Sequence, residues 1–184
     1  MSELKQLLAW TNMAVPEVLN ELQPHQQQEV ALWAERVVSL KTEGFEELYQ
    51  AISMIVKYIP HFVVIPLMVE HIRPHIAAGV CRKMNIDQAT HYANDLPFDY
   101  FTEVALYMDS ELMARILEKM KRHPAEKFIR RELERHLPNM LEIASHLDNK
   151  MLKTVANLVT LPDEDEELAQ SPHKMVIDKI RALQ

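Results

Sequence analysis

The stretch from Ile72 to Arg131 reads IRPHIAAGVCRK MNIDQATHYAND LPFDYFTEVALY MDSELMARILEK MKRHPAEKFIRR, which divides into five units of twelve residues. The first position of every unit is apolar: Ile72, Met84, Leu96, Met108 and Met120. The sixth, ninth and tenth positions are apolar as well, so the units share a stripe spaced i, i+3, i+4 and i+7. This spacing is typical of one face of an α-helix. The sequence therefore predicts five short amphipathic helices in succession.

The same register extends before Ile72, because residues 60–71, PHFVVIPLMVEH, also place apolar residues in these columns. Their β-branched content would suit a strand too, but Pro66 would remove a ladder hydrogen bond, so we favour a helix. Two units form a helical hairpin of about 24 residues, and hairpins that stack in sequence bury one continuous core. We predict an all-α fold, a superhelical, solenoid-like array of short antiparallel helices.

The flanks of the repeat predict further helices and one hinge. We expect residues 1–162 to form a single domain, with N-terminal helices in 1–59, the twelve-residue repeats in 60–131 and looser repeats in 132–162. Residues 163–184 begin with the acidic run DEDEE and end in an amphipathic helix. That helix either docks on the array as a cap or is offered to a partner.

Composition and charge narrow the functional classes. The chain has 184 residues and a formal net charge of -7, which disfavours general affinity for nucleic acid or anionic lipid. Its two glycines, Gly44 and Gly79, leave little material for phosphate-binding loops, although Gly44 suits a helix break. Residues 51–69 are the one region that could suggest a membrane span, but Lys57 and His61 interrupt it. A span needs roughly 20 apolar residues, so we expect a fully buried helix there.

The N-terminus and the cysteine content indicate a cytoplasmic protein. MSELKQLLAW has no basic region followed by an apolar core and a small-residue cleavage site, so we expect no secretory signal. The single Cys81 cannot form an intramolecular disulfide and falls in an apolar column of the repeat. We therefore expect a buried, unreactive thiol in a reducing compartment.

Nine histidines raise the question of a metal site. Asp87, His91 and Asp95 fall on one helical face at i, i+4 and i+8, and could offer two carboxylates and an imidazole to a divalent ion. These columns are polar in the repeat, so a solvated face with i, i+4 pairs explains them better. His71 and His75 have the spacing of a helical ligand pair, but the repeat puts a helix boundary between them. We assign no metal ligand.

Candidate nucleophiles lack the surroundings that catalysis needs. Cys81 lies in a core column, and Ser39, Ser53, Ser110 and Ser145 lie in helical stretches or at a cap, without a strained turn to expose them. We therefore expect a chain without catalytic residues or a cofactor.

The segment 119–135 is the one basic part of the chain, with seven Lys and Arg against three Glu. It lacks the interleaved aromatic residues that stack on bases, so we expect a solvated helix face or a dock for an acidic partner and not nucleic acid. Since the chain up to Gln50 is acidic, self-association through these two regions is a further expectation.

The junctions in LPFDYFTEVALYMDSELMARILEKM, residues 96–120, join short helices through L-P and M-D steps. In this the chain resembles the cytosolic N-terminal domain of MgtE-type magnesium transporters and, more distantly, the helical repeats of the flagellar switch protein FliG. The resemblance covers residues 84–120 and implies a right-handed superhelix of short helices used as a regulatory or docking module. It does not imply transport, because the CBS pair and pore of those transporters have no counterpart in this sequence, and no ligand position matches.

The sequence thus predicts a non-catalytic module that presents stacked helix faces to a protein partner, with a homo-oligomer as one form of that. A divalent-metal-sensing regulatory domain is the first alternative. An enzyme with a pocket between helices is the second.

Overall fold

The computed structural model describes residues 8, 13–159 and 172–184. Within these ranges the chain is helical apart from turns and connections, so the all-α prediction is confirmed for the described residues. A 3-10 helix covers Glu17–Glu21. The α-helices in chain order are α1 (Pro24–Thr42), α2 (Phe45–Val56), α3 (His61–His71), α4 (Pro74–Arg82), α5 (Ile86–Asp95), α6 (Phe98–Ala105), α7 (Ser110–Lys119), α8 (Arg122–Arg135), α9 (Leu137–Ser145), α10 (Asn149–Leu158) and α11 (Lys174–Arg181).

The chain divides into two compact units, residues 1–46 and 47–184. In the described part of the first unit, Leu8 and Ala31 are the buried apolar residues, and Gly44 has a φ of 80° at the predicted break after α1. The expected division at residue 162 stays a prediction, because residues 160–171, which include the DEDEE run, lie outside the described ranges.

The second unit contains the repeat. Five successive helices begin twelve residues apart, at Pro74, Ile86, Phe98, Ser110 and Arg122. The helix starts follow the twelve-residue interval of the apolar columns, and Pro74, Asn85, Pro97 and Asp109 stand at four of these five starts. α9 and α10 begin at Leu137 and Asn149, which is the same interval after the longer α8. The side chain of Asp148 caps α10, because its Oδ1 accepts a hydrogen bond from the Met151 backbone amide at 2.7 Å.

Helices two places apart along the chain pack on one another. α3 packs on α5, α5 on α7, α7 on α9 and α9 on α11, while α4 packs on α6, α6 on α8 and α8 on α10. We call these the odd row and the even row, and the rows also contact each other where α8 packs on α9 and α10 packs on α11. A small cluster is formed by Ala77 and Ala78 of α4 with Tyr100 and Val104 of α6, and the main core has as its most deeply buried side chains Met113, Ile116, Leu117, Phe128 and Ile129 of α7 and α8. Each such burial stabilises the fold by about 1.5–3 kcal/mol.

Contacts within the two rows repeat at one spacing. The three pairs are His75–Tyr107, whose ring centroids are 5.9 Å apart, Asp87–Lys119 at 2.6 Å and Asp99–Arg131 at 3.2 Å. In every pair the fourth position of one unit meets the twelfth position of the unit two further on, a separation of 32 residues. The ion pairs are exposed, so each contributes at most about 1 kcal/mol. The equal separation means that these three contacts join units two apart at the same positions.

Two buried tyrosines donate hydrogen bonds to backbone carbonyls at or next to the ends of earlier helices. The Tyr100 hydroxyl donates to the Ile72 carbonyl at 2.8 Å, and the Tyr92 hydroxyl donates to the Val56 carbonyl at 3.4 Å. Carbonyls at the end of a helix have no partner within it, and the Tyr100 bond satisfies the Ile72 carbonyl in this way. The Val56 carbonyl also accepts a hydrogen bond from the Ile59 backbone amide at 3.2 Å. Burial, with a smaller contribution from the Glu103 carboxylate, raises the pKa of Tyr100 to about 12.

The terminal helix docks on the array. α11 packs on α9 and α10 and buries Val176, Ile177 and Ile180. The Gln184 side-chain amide donates to the Ala156 and Val159 carbonyls, each at 3.0 Å. The sequence left open whether this helix docks as a cap or is offered to a partner, and in the structure it docks as a cap.

The fully buried helix that we expected in residues 51–69 is wrong. Two helices cover this region, since α2 ends at Val56 and α3 begins at His61, and no residue of α3 is buried. Within its unit α3 is the first member of the odd row, so α5 covers one face of it and no earlier member of that row covers the other. The helix that is apolar on all sides is therefore also the one with least cover.

Candidate functional site

An apolar groove of about 300 Å³ lies where α2 and α3 meet α4 and α5. Its lining consists of twelve aliphatic side chains together with His71 and Tyr92. The aliphatic residues are Ile52, Val56, Ile59, Val63, Val64, Leu67, Met68, Ile72, Ile76, Ala77, Val80 and Met84. Such a surface excludes ligands held mainly by charge and suits an apolar face of another molecule.

The sequence of α3 accounts for the open side of the groove. A helix that is apolar all round, as HFVVIPLMVEH is, is normally buried on every face. Here Val63 and Leu67 of α3 line the groove and are 40 and 53% exposed, and Ile59, in the connection before the helix, is 37% exposed. Val63 and Leu67 lie on one face of α3 because i and i+4 positions are neighbours on a helix.

Within the second unit, exposed apolar surface is concentrated in the segment that contains α2 and α3, and four of its exposed residues line the groove. The described part of the first unit has seven further exposed large apolar residues between Met13 and Phe45. Ten large apolar residues between Leu48 and Ile72 are exposed, by 37 to 80%. In the described residues after Ile72 only Leu106, Tyr107 and Met175 are exposed in the same way. Large contiguous apolar patches on a folded domain mark binding sites, whereas single exposed apolar residues are ordinary.

The walls of the groove are held in place by close contacts. Gly79 of α4 faces the ring of Tyr49 of α2 so closely that a Cβ at Gly79 would lie 2.5 Å from the ring. On the other wall, the His61 ring stacks on the Tyr92 ring at a centroid distance of 4.2 Å. The His61 Nδ1 atom also lies 2.8 Å from Asp95 Oδ2. The groove is therefore formed by packed helices. Binding pockets are generally preformed in this way.

The structure separates the three residues that sequence spacing offered as metal ligands. The Asp87 carboxylate is bonded to Lys119, which lowers its pKa below the usual range, and the Asp95 carboxylate is bonded to His61. His91 faces the His61 ring edge-on at 6.3 Å. Among the described residues no three His, Cys, Asp or Glu side chains are grouped as a metal site would need. His71 and His75 lie on different helices, α3 and α4, as predicted.

Of the five candidate nucleophiles, Cys81 is largely buried and the Ser53 and Ser145 hydroxyls are bonded to their own helices. Ser39 is exposed on α1, and Ser110 is the first residue of α7. Burial raises the pKa of the Cys81 thiol to about 12, against a smaller opposing effect of the Arg82 charge, so the thiolate is scarce at neutral pH. The Ser53 hydroxyl donates to the Gln50 carbonyl at 2.8 Å, a bond to its own helix. Buried Thr90 and Thr102 donate to carbonyls of their own helices in the same way. None of these hydroxyls faces a base.

Two open, polar cavities contain charged side chains, some of which are paired with each other. One, of about 330 Å³, contains Glu118, Lys150 and the Arg122–Glu126 pair, whose atoms are 2.7 Å apart. The other, of about 270 Å³, contains the Asp99–Arg131 pair together with Glu103, Arg135 and His136. Each cavity therefore presents both signs of charge.

A buried carboxylate that sequence analysis did not single out borders the second of these cavities. Glu132 of α8 is 1% exposed, and its Oε2 accepts a hydrogen bond from the Asn139 side-chain amide at 3.0 Å. A buried acid is seldom tolerated without such a partner. Glu132 is the first position of the next twelve-residue unit, a column that is apolar in the five units before it. That column was the available signal of burial, whereas Glu as a residue type is common on solvated faces.

The basic segment 119–135 is largely occupied within the molecule. Lys119 pairs with Asp87, Arg131 with Asp99, and Lys127 lies 3.9 Å above the Phe98 ring. These cations make contacts between units of the repeat, so they are less available to bind an acidic partner. The self-association that charge patterning suggested stays a prediction.

No family model, curated protein or solved structure matches this chain. In the described residues no helix is both long enough and apolar enough to cross a membrane.

Proposed function

We propose that this chain is a non-catalytic, cytoplasmic protein-docking module whose binding site is the apolar groove between α2, α3, α4 and α5. The observation that carries the proposal is the lining of the groove. Sites for small metabolites combine apolar walls with a few converging polar groups. Here the one hydroxyl, that of Tyr92, is already bonded to the Val56 carbonyl, and the other polar side chain, that of His71, lies at the end of α3.

The chemistry of the occupant follows from that lining. An amphipathic helix that lays its apolar face into a groove needs no charged groups in the groove floor, and it buries side chains at i, i+3, i+4 and i+7. Val63 and Leu67, four residues apart on α3, present partly exposed apolar side chains at one of these intervals. The groove is therefore suited to a helix of another protein molecule.

The two rows of helices support a larger architectural proposal. Equal helix intervals and the repeated 32-residue contacts are what a superhelical array with 24-residue hairpins would show. We propose that the rows form such an array, of the kind that the resemblance to MgtE-type N-terminal domains implies. In this arrangement the array is a scaffold, and the groove at its N-terminal end is the surface where its partner binds.

Comparative affinity capture tests the docking function. The full chain, the groove variant Leu67→Asp and the matched control Met175→Asp are each tagged and used to capture proteins from the native cell, with copies of the chain itself counted as bound protein. Leu67 and Met175 are both exposed, but only Leu67 lines the groove. We expect proteins that are retained by the wild type and the control and lost by the groove variant. Identical sets for all three proteins would refute the proposal.

A further inference from the structure

We infer that the partner in the groove is a second copy of this chain, related by a twofold axis with the two α3 helices antiparallel. This inference rests on the proposed docking function and names its partner. Four features of the described residues support it: the amount of apolar surface, the neighbouring groove and aromatic side chains, the placement of charge, and the pairing of the basic segment within the molecule.

The apolar surface around α3 is large enough for a stable dimer. At roughly 200 Å² for a fully exposed large apolar residue, the ten exposed residues between Leu48 and Ile72 present about 1,000 Å². The largest patch of an ordinary monomer covers about 300–600 Å², and each partner of a stable complex contributes about 800 Å². The ten residues together therefore offer about the apolar area that each partner of a stable complex contributes.

The groove and the side chains that could fill it lie on the same segment. Tyr58 and Phe62 are about 80 and 79% exposed, and each directly precedes a groove residue, Ile59 and Val63. A twofold interface requires a surface that is complementary to itself, with projection and recess side by side. An apolar cavity of about 150 Å³ takes up benzene, so a groove of about 300 Å³ has room for the Phe62 ring of another copy.

Charges at the two ends of α3 favour the antiparallel arrangement. Lys57 precedes the helix and Glu70 lies near its end, and no Asp, Glu, Lys or Arg lies between them. Both are exposed. Antiparallel copies bring Lys57 of each copy to Glu70 of the other, whereas parallel copies would place like charges together. The charges thus select the direction, while the apolar residues between them provide the binding energy.

This interface differs from the one that charge patterning alone suggests. Two cations of segment 119–135 are paired with carboxylates of other helices, Lys119 with Asp87 and Arg131 with Asp99. An association between that segment and the acidic N-terminal part would weaken steeply with salt. A dimer formed by burying α2 and α3 would persist, because salt does not screen the burial of apolar surface.

Sedimentation of the full chain over a micromolar concentration range, in low and in molar salt, tests the inference. We expect a dimer at both salt concentrations. Phe62→Asp and Leu67→Asp should each weaken the dimer by about tenfold or more, since each substitution enters the interface twice. Met175→Asp, on the exposed side of α11, should have no effect. A monomer at all concentrations, or a dimer that neither groove variant weakens, would overturn the inference.

A charge exchange tests the direction of the two helices. Lys57→Glu should weaken the dimer several-fold, and adding Glu70→Lys to it should restore the wild-type association. Failure of the double variant to recover would overturn the antiparallel arrangement. If the chain is monomeric but the set of captured proteins still depends on Leu67, the second copy is not the partner, and the docking function is retained. Capture that is independent of Leu67 would sink the docking function itself.

Discussion

Replacement of Gly79 by alanine should destabilise the protein, although alanine is the better helix former. Gly79 lies in the interior of α4, where alanine in place of glycine normally stabilises by about 0.5–1 kcal/mol. At this position the added methyl group would lie 2.5 Å from Cε2 of Tyr49, a ring that is only 7% exposed. Moving a packed ring or separating α2 from α4 costs about 1–3 kcal/mol. The net effect should be a loss of about 1–2 kcal/mol.

The same substitution should have the opposite sign once the ring is removed. In a Tyr49→Ala background the methyl group meets no ring, so Gly79→Ala should stabilise by about 0.5–1 kcal/mol. The coupling between the two positions should then be about 1.5–3 kcal/mol, well above the error of additivity for independent sites. Urea unfolding followed by far-ultraviolet circular dichroism provides the four free energies of the cycle. If Tyr49→Ala does not fold, Tyr49→Val serves, because it also lacks the ring atoms near Gly79.

Two results would refute this argument. One is a Gly79→Ala variant more stable than the wild type. The other is an equal effect of Gly79→Ala in both backgrounds, which would show that the Tyr49 ring and Gly79 do not constrain each other. Either result would also remove the contact that we take to hold α2 on α4 at the back of the groove.

Four other outcomes follow from contacts in the second unit. Tyr100→Phe removes the bond to the Ile72 carbonyl and should cost about 1 kcal/mol at neutral pH, measured by urea unfolding. Because folding raises the pKa of Tyr100 from about 10 to about 12, its stabilising contribution is complete below pH of about 10 and is lost as the pH rises through about 12, and spectrophotometric titration of the wild type against Tyr100→Phe checks this. Asp148→Ala should cost about 1 kcal/mol because the Met151 amide loses its cap, whereas Asp148→Asn should cost less. Cys81 should react with a disulfide reagent in the native protein far more slowly than in urea. Millimolar magnesium, zinc or manganese should leave the thermal midpoint unchanged, and a rise with any of them would revive the metal-sensing alternative.

The starts of the repeat helices could be predicted because each unit contains its own local signals. In four of the five units a Pro, Asn, Asp or Ser at the second or third position begins the helix, whereas the fifth has Lys121 and Arg122 there. The stripe at the sixth, ninth and tenth positions determines which face is buried. These signals act within about twelve residues, so they can be recognised without knowing the neighbours. The buried residues Phe101, Met113, Ile116 and Phe128 are all in the predicted columns.

The exposure of α3 could not be predicted in the same way. Its composition is that of a buried helix, but burial depends on whether a neighbour is present, and that is decided by position in the row.

The candidate metal ligands are not brought together, for a related reason. Asp87 and Asp95 share a helical face, yet each is bonded to a residue more than 30 positions away, Lys119 and His61. Spacing within one helix does not reveal such partners.

The offset of two between packed helices has a consequence for how this architecture can change in length. Insertion or deletion of one twelve-residue unit would exchange odd for even membership in every helix downstream, and the fourth-to-twelfth contacts such as Asp87–Lys119 would lose their partners. A change of two units preserves parity and leaves each surviving helix beside a neighbour of the kind it had before. Such a chain should therefore gain or lose whole hairpins of two units, because a change of a single unit would disrupt the packing between helices.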